Sequence, residues 1–170
     1  MLPKLSSSGS WEITSHGKTQ GNLTKVSSLA VPSDLVVTVP KAIWAYWVGE
    51  GDAAEEPESG EEWAFFVGGA KPSIESGGRL YIVAWGKLRG YSPVTRVIRR
   101  EGRGWGICRK GGAVACTIEE AIPGFRGYRK RWWSKSSEVP FPKWRTEGVD
   151  KKQIEILFKA ERATTRNSRF

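Results

Sequence analysis

The sequence predicts a mainly β fold with minor α, a small barrel or sandwich led by a flexible arm. Six or seven short apolar runs recur between residues 35 and 160, most of them followed by Gly-rich turns, which is the pattern of all-β domains. The chain has 170 residues, about one domain and long enough to bury a core. Residues 1–34 are rich in Ser, Gly, Thr and Lys with little periodicity, so they read as a loosely packed arm that Trp11 and Ile13 could pin locally.

Taken in order, "DLVVTVPKAIWAYWVG" gives two strand-like runs punctuated by Pro40, with Trp44 and Trp47 supplying large buried area. "EGDAAEEPESGEE", residues 50–62, holds seven acids and no base. It reads as a solvated loop, or alternatively as an acidic flap over a basic face. "EWAFFVGGAK" is too short for periodicity to separate helix from strand. In "GGRLYIVAWGKLRGYSPVTRVIRR" a buried strand is expected over Leu80–Trp85, a turn at "GKLRG" and a second strand from Pro93 to Arg100. "EGRG" turns the chain again. "EVPFPKW" alternates Pro with apolar residues, as an extended latch on the core does. "QIEILF" supplies a last strand before a basic tail, residues 161–170.

Cys108 and Cys116 flank Gly111 and Gly112. A two-residue hairpin loop there places residue 107 opposite 116, which puts Trp105, Ile107, Val114, Cys116 and Ile118 on one face and Cys108 on the other. The expectation is two free thiols in a reducing compartment.

The net charge of +9 is uneven. Residues 1–78 carry 5 Lys against 10 acids, whereas residues 79–170 carry 22 Lys or Arg against 8 acids. A basic working face points to nucleic acid or an anionic surface. The longest apolar run, Ala42–Val48, is far below the roughly 20 residues that span a bilayer, so no membrane partner is expected. The first ten residues lack an apolar h-region, and a cytoplasmic location is expected.

Catalytic constellations are sparse. The sole His16 lies in the arm, and two Cys at this spacing do not complete a zinc site, so no metal and no cofactor is expected. The strongest local signal is "GFRGYRKRWW", residues 124–133, where Phe125, Tyr128, Trp132 and Trp133 alternate with Arg126, Arg129, Lys130 and Arg131. Single-stranded nucleic acid asks for this pairing, with planar faces to stack bases and cations to follow phosphates. The competing reading is a segment latched across the core, rings inward and cations in water.

At "GGRLYIVAWGKLRGYSPVTRV" the sequence resembles the PUA-like barrel superfamily, the group of the ASCH and EVE domains. The likeness covers roughly residues 40–120, and "GAVACTI" and "QIEILF" could add later strands. It implies a small β-barrel over residues 35–160, associated with RNA binding, modified-base recognition and, in a few ASCH members, small amidohydrolases. The family's lead is Gly, Lys two residues on, an acid or Thr three later and Arg two after that. Gly69 and Lys71 match it; Ile74 and Ser76 occupy the last two positions, with Glu75 one step out of register. The amidohydrolase reading thereby loses its Thr.

The leading expectation is non-catalytic binding of RNA or of single-stranded or modified DNA. Arg96, Arg99, Arg100, Arg126, Arg129 and Arg131 would take phosphate, and Tyr128, Trp132 and Trp133 would stack on bases. The second is a protein-interaction or inhibitor module that uses the acidic loop and aromatic patch. The third is an ASCH-type enzyme on a nucleoside or RNA, using Lys71, Glu75 or Lys87.

Overall fold

The computed structural model describes residues 33–49, 62–110 and 114–167. The expectations placed on the arm up to residue 32, on residues 50–61 of the acidic stretch and on the Gly111–Gly112 turn lie outside them. The fold is mainly β with few helices. Strands β1 (Leu35–Thr38), β2 (Glu62–Val67), β3 (Arg79–Ala84), β4 (Lys87–Arg100), β5 (Gly104–Lys110) and β7 (Tyr128–Lys130) make one mixed sheet in the order β2-β5-β4-β3-β1-β7. Strands β6 (Cys116–Thr117) and β8 (Val139–Pro140) form a separate pair. The large sheet is not closed, and β2 and β7 are its edges.

Strands β1 and β3 are apolar at almost every position because both of their faces are covered. Leu35, Val37 and Leu80 face one cluster with Val67, Ile74, Val94 and Ile107. Val36, Tyr81 and Val83 face another with Leu88, Cys116, Ile118, Ile122 and Trp133. The two strands run parallel, Leu35 opposite Leu80, and parallel pairs are the ones that need both faces buried. Each fully buried aliphatic side chain here stabilises the fold by about 1.5–3 kcal/mol relative to exposure.

The β3–β4 connection is a two-residue turn. Ala84 pairs with Lys87, and Trp85 (φ 55°) and Gly86 (φ 72°) both take the left-handed conformation that a type I′ turn requires. The turn expected at "GKLRG" is therefore made by Trp85 and Gly86, and Lys87–Gly90 begin β4. Strand β4 is long and shared. Lys87–Pro93 pairs with β3, and Val94–Arg100 pairs with β5. The register shifts at Ile82/Val83, leaving Arg89 as an extra residue on β4. Gly90 follows because a Cβ there would lie 2.4 Å from the Val114 carbonyl oxygen, and Tyr91 and Val114 exchange backbone hydrogen bonds at that point.

Three expectations are overturned. The Cys108/Cys116 hairpin does not form: β5 already has β2 on one side and β4 on the other, so Ile107 faces Phe65 and Val97, and Cys116 pairs with Pro140 of β8. Both thiols are nonetheless free and buried. The second run of "DLVVTVPKAIWAYWVG" is helical, a single 3₁₀ turn (Lys41–Ile43) leading into α1 (Trp44–Gly49). Trp44 and Trp47, three residues apart, turn inward, while Tyr46 between them is 71% exposed. "QIEILF" is also helical, part of α2 (Lys151–Asn167). Asp150 caps it by accepting from the Lys152 and Gln153 N–H groups at 2.8 and 3.3 Å, and Leu157 turns into the core. The helix continues through most of the expected basic tail.

The "EVPFPKW" latch packs on the core as expected, but only Val139–Pro140 is strand and the chain turns from Pro142. Phe141 and Trp144 are buried with Trp44, Trp47, Ile82, Val149 and Leu157, and Trp44 Nε1 donates to the Arg145 carbonyl at 3.1 Å.

Candidate nucleic-acid interface

The segment that follows β6 crosses to the far edge of the sheet, where β7 pairs antiparallel with β1, Tyr128 opposite Val37 and Lys130 opposite Leu35. Beyond β7 the chain is anchored by Asp34, whose side chain is 8% exposed. Its Oδ1 accepts the Arg79 N–H at 3.0 Å, and its Oδ2 meets Arg131 Nε at 3.0 Å and Lys135 Nζ at 3.1 Å. Burial works to raise the Asp34 pKa, but these donors outweigh it and hold the carboxyl below its ordinary value. Arg131 also donates to the Trp133 carbonyl. Of the expected phosphate ligands, Arg131 is thus engaged inside the protein.

A second carboxylate, Glu138, lies just before β8 with its side chain 9% exposed. Its Oε1 accepts from the Tyr81 hydroxyl at 2.7 Å and from Trp133 Nε1 at 3.0 Å. Arg79 approaches its Oε2 at 3.6 Å and lies over the Tyr91 ring at 4.1 Å. Burial, followed by the hydrogen bond to Glu138, pushes the Tyr81 hydroxyl pKa well up, so it stays a donor. Around these groups runs a row of five rings. Tyr91 meets Tyr81 at 5.3 Å, Tyr81 meets Trp133 at 5.1 Å, Trp133 meets Trp132 at 4.9 Å and Trp132 meets Phe125 at 6.5 Å between centroids. Arg79 caps one end and Arg129, 4.4 Å from the Phe125 centroid, caps the other.

Of the rings in this row, only Trp132 is exposed. Trp133 is 8% exposed, whereas Trp132 is 44% exposed, held edge-on by its neighbours and by a 3.4 Å contact from its Nε1 to Glu120. Tyr128 is half-buried against the cluster of Leu35, Val37 and Leu80. Arg126, Arg129 and Lys130 are exposed and have no carboxylate partner among the described residues. Beside the row lies a cleft of about 540 Å³, lined by Tyr91, Cys116, Lys135, Glu138 and Phe141 among others, within the usual range for ligand sites. Burial pushes the Cys116 thiol up to about 12, so it is not a thiolate nucleophile.

The remaining predicted residues sit elsewhere. Arg96, Arg99 and Arg100 lie on the half of β4 that pairs with β5, and β3 and β1 intervene between β4 and β7 in the sheet. Arg96 is bound by Glu62, its Nε and Nη2 at 3.0 and 2.7 Å from Oε1. Thr95 hydrogen-bonds the other oxygen at 2.5 Å, and together these donors lower the Glu62 pKa. The candidate enzymatic residues are not assembled into a site. Lys87, at the start of β4, pairs with Glu147 at 3.0 Å, whereas Lys71 lies over Trp105, which is opposite Arg99 near the far end of the strand. Glu75 is exposed in the loop before β3. No group of three or more His, Cys, Asp or Glu that could hold a metal occurs among the described residues.

Sequence reasoning passed over Asp34, Arg79, Tyr81, Tyr91 and Glu138. The available signal was alternation: a strand that reads Arg79, Leu80, Tyr81 puts Arg79 and Tyr81 on one face, and Tyr91 lies directly across from Tyr81. No helix among the described residues is long and apolar enough to cross a membrane. No protein-family model, curated protein or solved structure matches the chain.

Proposed function

We propose that this chain is a non-catalytic nucleic-acid-binding module of the PUA-like type whose contact surface is the edge of the sheet at β7. The observation that carries this reading is Trp132, a large ring that is 44% exposed and packs on Phe125 and Trp133, with Arg129 seated over Phe125 and the exposed Arg126 next to Phe125 in the chain. A rigid exposed ring gives a base something to stack on at little ordering cost, and neighbouring cations follow the phosphates. The fixed side chains of Asp34, Arg131 and Trp133 serve as the frame behind that surface. The barrel expectation draws support from β4, because a long strand that pairs with β3 over one half and β5 over the other, with a register shift between Val94 and Arg96, is the kind of strand that passes from one half-sheet to the next in barrels, although β2 and β7 are not bonded to each other.

The test separates cations from ring. On single-stranded oligonucleotides, Arg126→Gln with Arg129→Gln should flatten the plot of log affinity against log salt by about 1.4, at roughly 0.7 per phosphate contact. Trp132→Ala should cost about 1–3 kcal/mol and leave that slope unchanged. Folded variants that keep both affinity and slope would overturn the reading and give first place to the protein-interaction module, with Trp132 as a docking ring.

A further inference from the structure

The arginines and lysines divide by what they touch. Arg79, Lys87, Arg96, Arg131 and Lys135 each face a carboxylate. At the end of the β4–β5 hairpin four cations do not. Lys71, Arg99, Arg100 and Arg103 are all exposed, and none has an ion-pair partner among the described residues, Glu75 and Glu101 of the adjoining loops included. Each lies against an aromatic ring instead. Lys71 and Arg99 are both 5.7 Å from the Trp105 centroid, and Arg100 and Arg103 are 5.7 and 5.8 Å from that of Phe66.

The register sets these two pairs on opposite faces of the ribbon. Arg99 lies across from Trp105, and Phe66 lies across from Gly106, one residue further along β5. The turn itself is fixed. Arg103 N–H donates to the Arg100 carbonyl at 3.0 Å, Gly102 and Gly104 take φ of 72° and 77°, and a Cβ on Gly104 would strike the Val67 carbonyl oxygen at 2.4 Å. Four positive charges are therefore braced on a rigid end, two to a face. A guanidinium seated on a ring keeps its edge N–H groups free for phosphate oxygens and has less side-chain freedom to lose on binding. Phe66 and Trp105 are both half-buried, Trp105 against the cluster of Val67, Val94 and Ile107, so what the hairpin end presents outward is mainly cations.

We infer that this ring-braced hairpin end is a second nucleic-acid contact, one that grips the phosphate backbone and reads no bases. The inference rests on the nucleic-acid reading above and assigns different work to the two surfaces. The hairpin end takes duplex and single strand alike, because both present phosphates, whereas Trp132 needs an unstacked base.

The experiment measures binding of the full chain to a labelled duplex and to its single strand across a salt series. Replacing Lys71, Arg99, Arg100 and Arg103 together by Gln should lower the salt slope by about 3 to 4 on duplex and about 3 on single strand, from roughly 0.9 and 0.7 per contact. Trp132→Ala should lower affinity for the single strand by a larger factor than affinity for the duplex. A control with Arg99, Arg100 and Arg103 changed to Lys keeps the charge and should keep most of the slope, which separates lost phosphate contacts from a damaged fold. If the Gln variant keeps its slope while the β7 variants lose theirs, the hairpin inference fails and the β7 reading stands. If the unaltered protein binds neither oligonucleotide at low salt, both fail. Binding to phosphatidylserine vesicles that the Gln variant loses, with its oligonucleotide slope unchanged, would assign the hairpin to lipid headgroups and overturn the inference.

Discussion

A single carboxylate, Asp34, joins the start of β1 to the first residue of β3, to Arg131 after β7 and to Lys135 of the 3₁₀ turn before β8. Its pKa is held below the ordinary value of 3.8, so its contribution to stability is present above that value and is lost as pH falls through the lower folded value. Asp34→Asn should therefore lower the urea midpoint at neutral pH and flatten the acid limb of stability below about pH 4. An unchanged acid limb would show that the carboxylate carries no such linkage. Arg89 marks the limit of reasoning from residue type. An unpaired buried charge costs several kcal/mol, so a strand arginine ordinarily meets solvent, an acid or a ligand; Arg89 is instead fully buried, donating to the Ala84 carbonyl at 2.8 Å and the Trp144 carbonyl at 2.9 Å and lying near the rings of Trp44 and Phe141. Burial lowers its pKa to about 10. Nothing in the sequence reveals that a bulge on β4 and a latch from far along the chain would supply carbonyl partners. The pair Trp132 and Trp133 was legible as a ring-rich motif, but which ring turns inward depends on Glu138 and Tyr81, which the motif does not contain.

The elements whose apolar pattern repeats over a full strand were legible, as at β3 and the second half of β4. Short runs were not. "AIWAYWV" is apolar throughout and fits either period; the deciding features are Pro40, which ends β1, and the buried i, i+3 pair of Trp44 and Trp47. "QIEILF" reads as a strand in a six-residue window. Extending it back to Asp150 brings in the cap, and the one deeply buried position, Leu157, then sits one turn from half-buried Ile154. The Cys hairpin failed because a favourable turn sequence says nothing about whether the strand edge beside it is already taken. Gly90 tests that close packing. Gly90→Ala drives a methyl into the Val114 carbonyl oxygen and should destabilise by about 1–3 kcal/mol, read from chemical denaturation. A neutral result would mean that the Tyr91–Val114 bridge yields freely.

At the scale of the whole domain, the basic latter part of the chain is divided into internally paired, buried and open cations, and only the open ones lie on the two proposed contact surfaces. Composition gave the excess of charge but not this division, which depends on where Asp34, Glu62, Glu138 and Glu147 fall in the fold. The sharing of β4 has a consequence of another kind. Lys87–Pro93 completes one half-sheet and Val94–Arg100 completes the other, so a single covalent strand is the border of both. Neither half can open far without pulling on residues that the other needs. Native-state hydrogen exchange should therefore find the amides of β3 and β5 sharing one opening free energy and one denaturant dependence. Separate isotherms for the two strands would show that the register shift between Val94 and Arg96 lets the halves breathe independently. If they move together, a partner seated on the β7 edge and a partner seated on the β4–β5 hairpin end each stabilise the same cooperative unit, and occupancy of one surface slows the unfolding that would release the other.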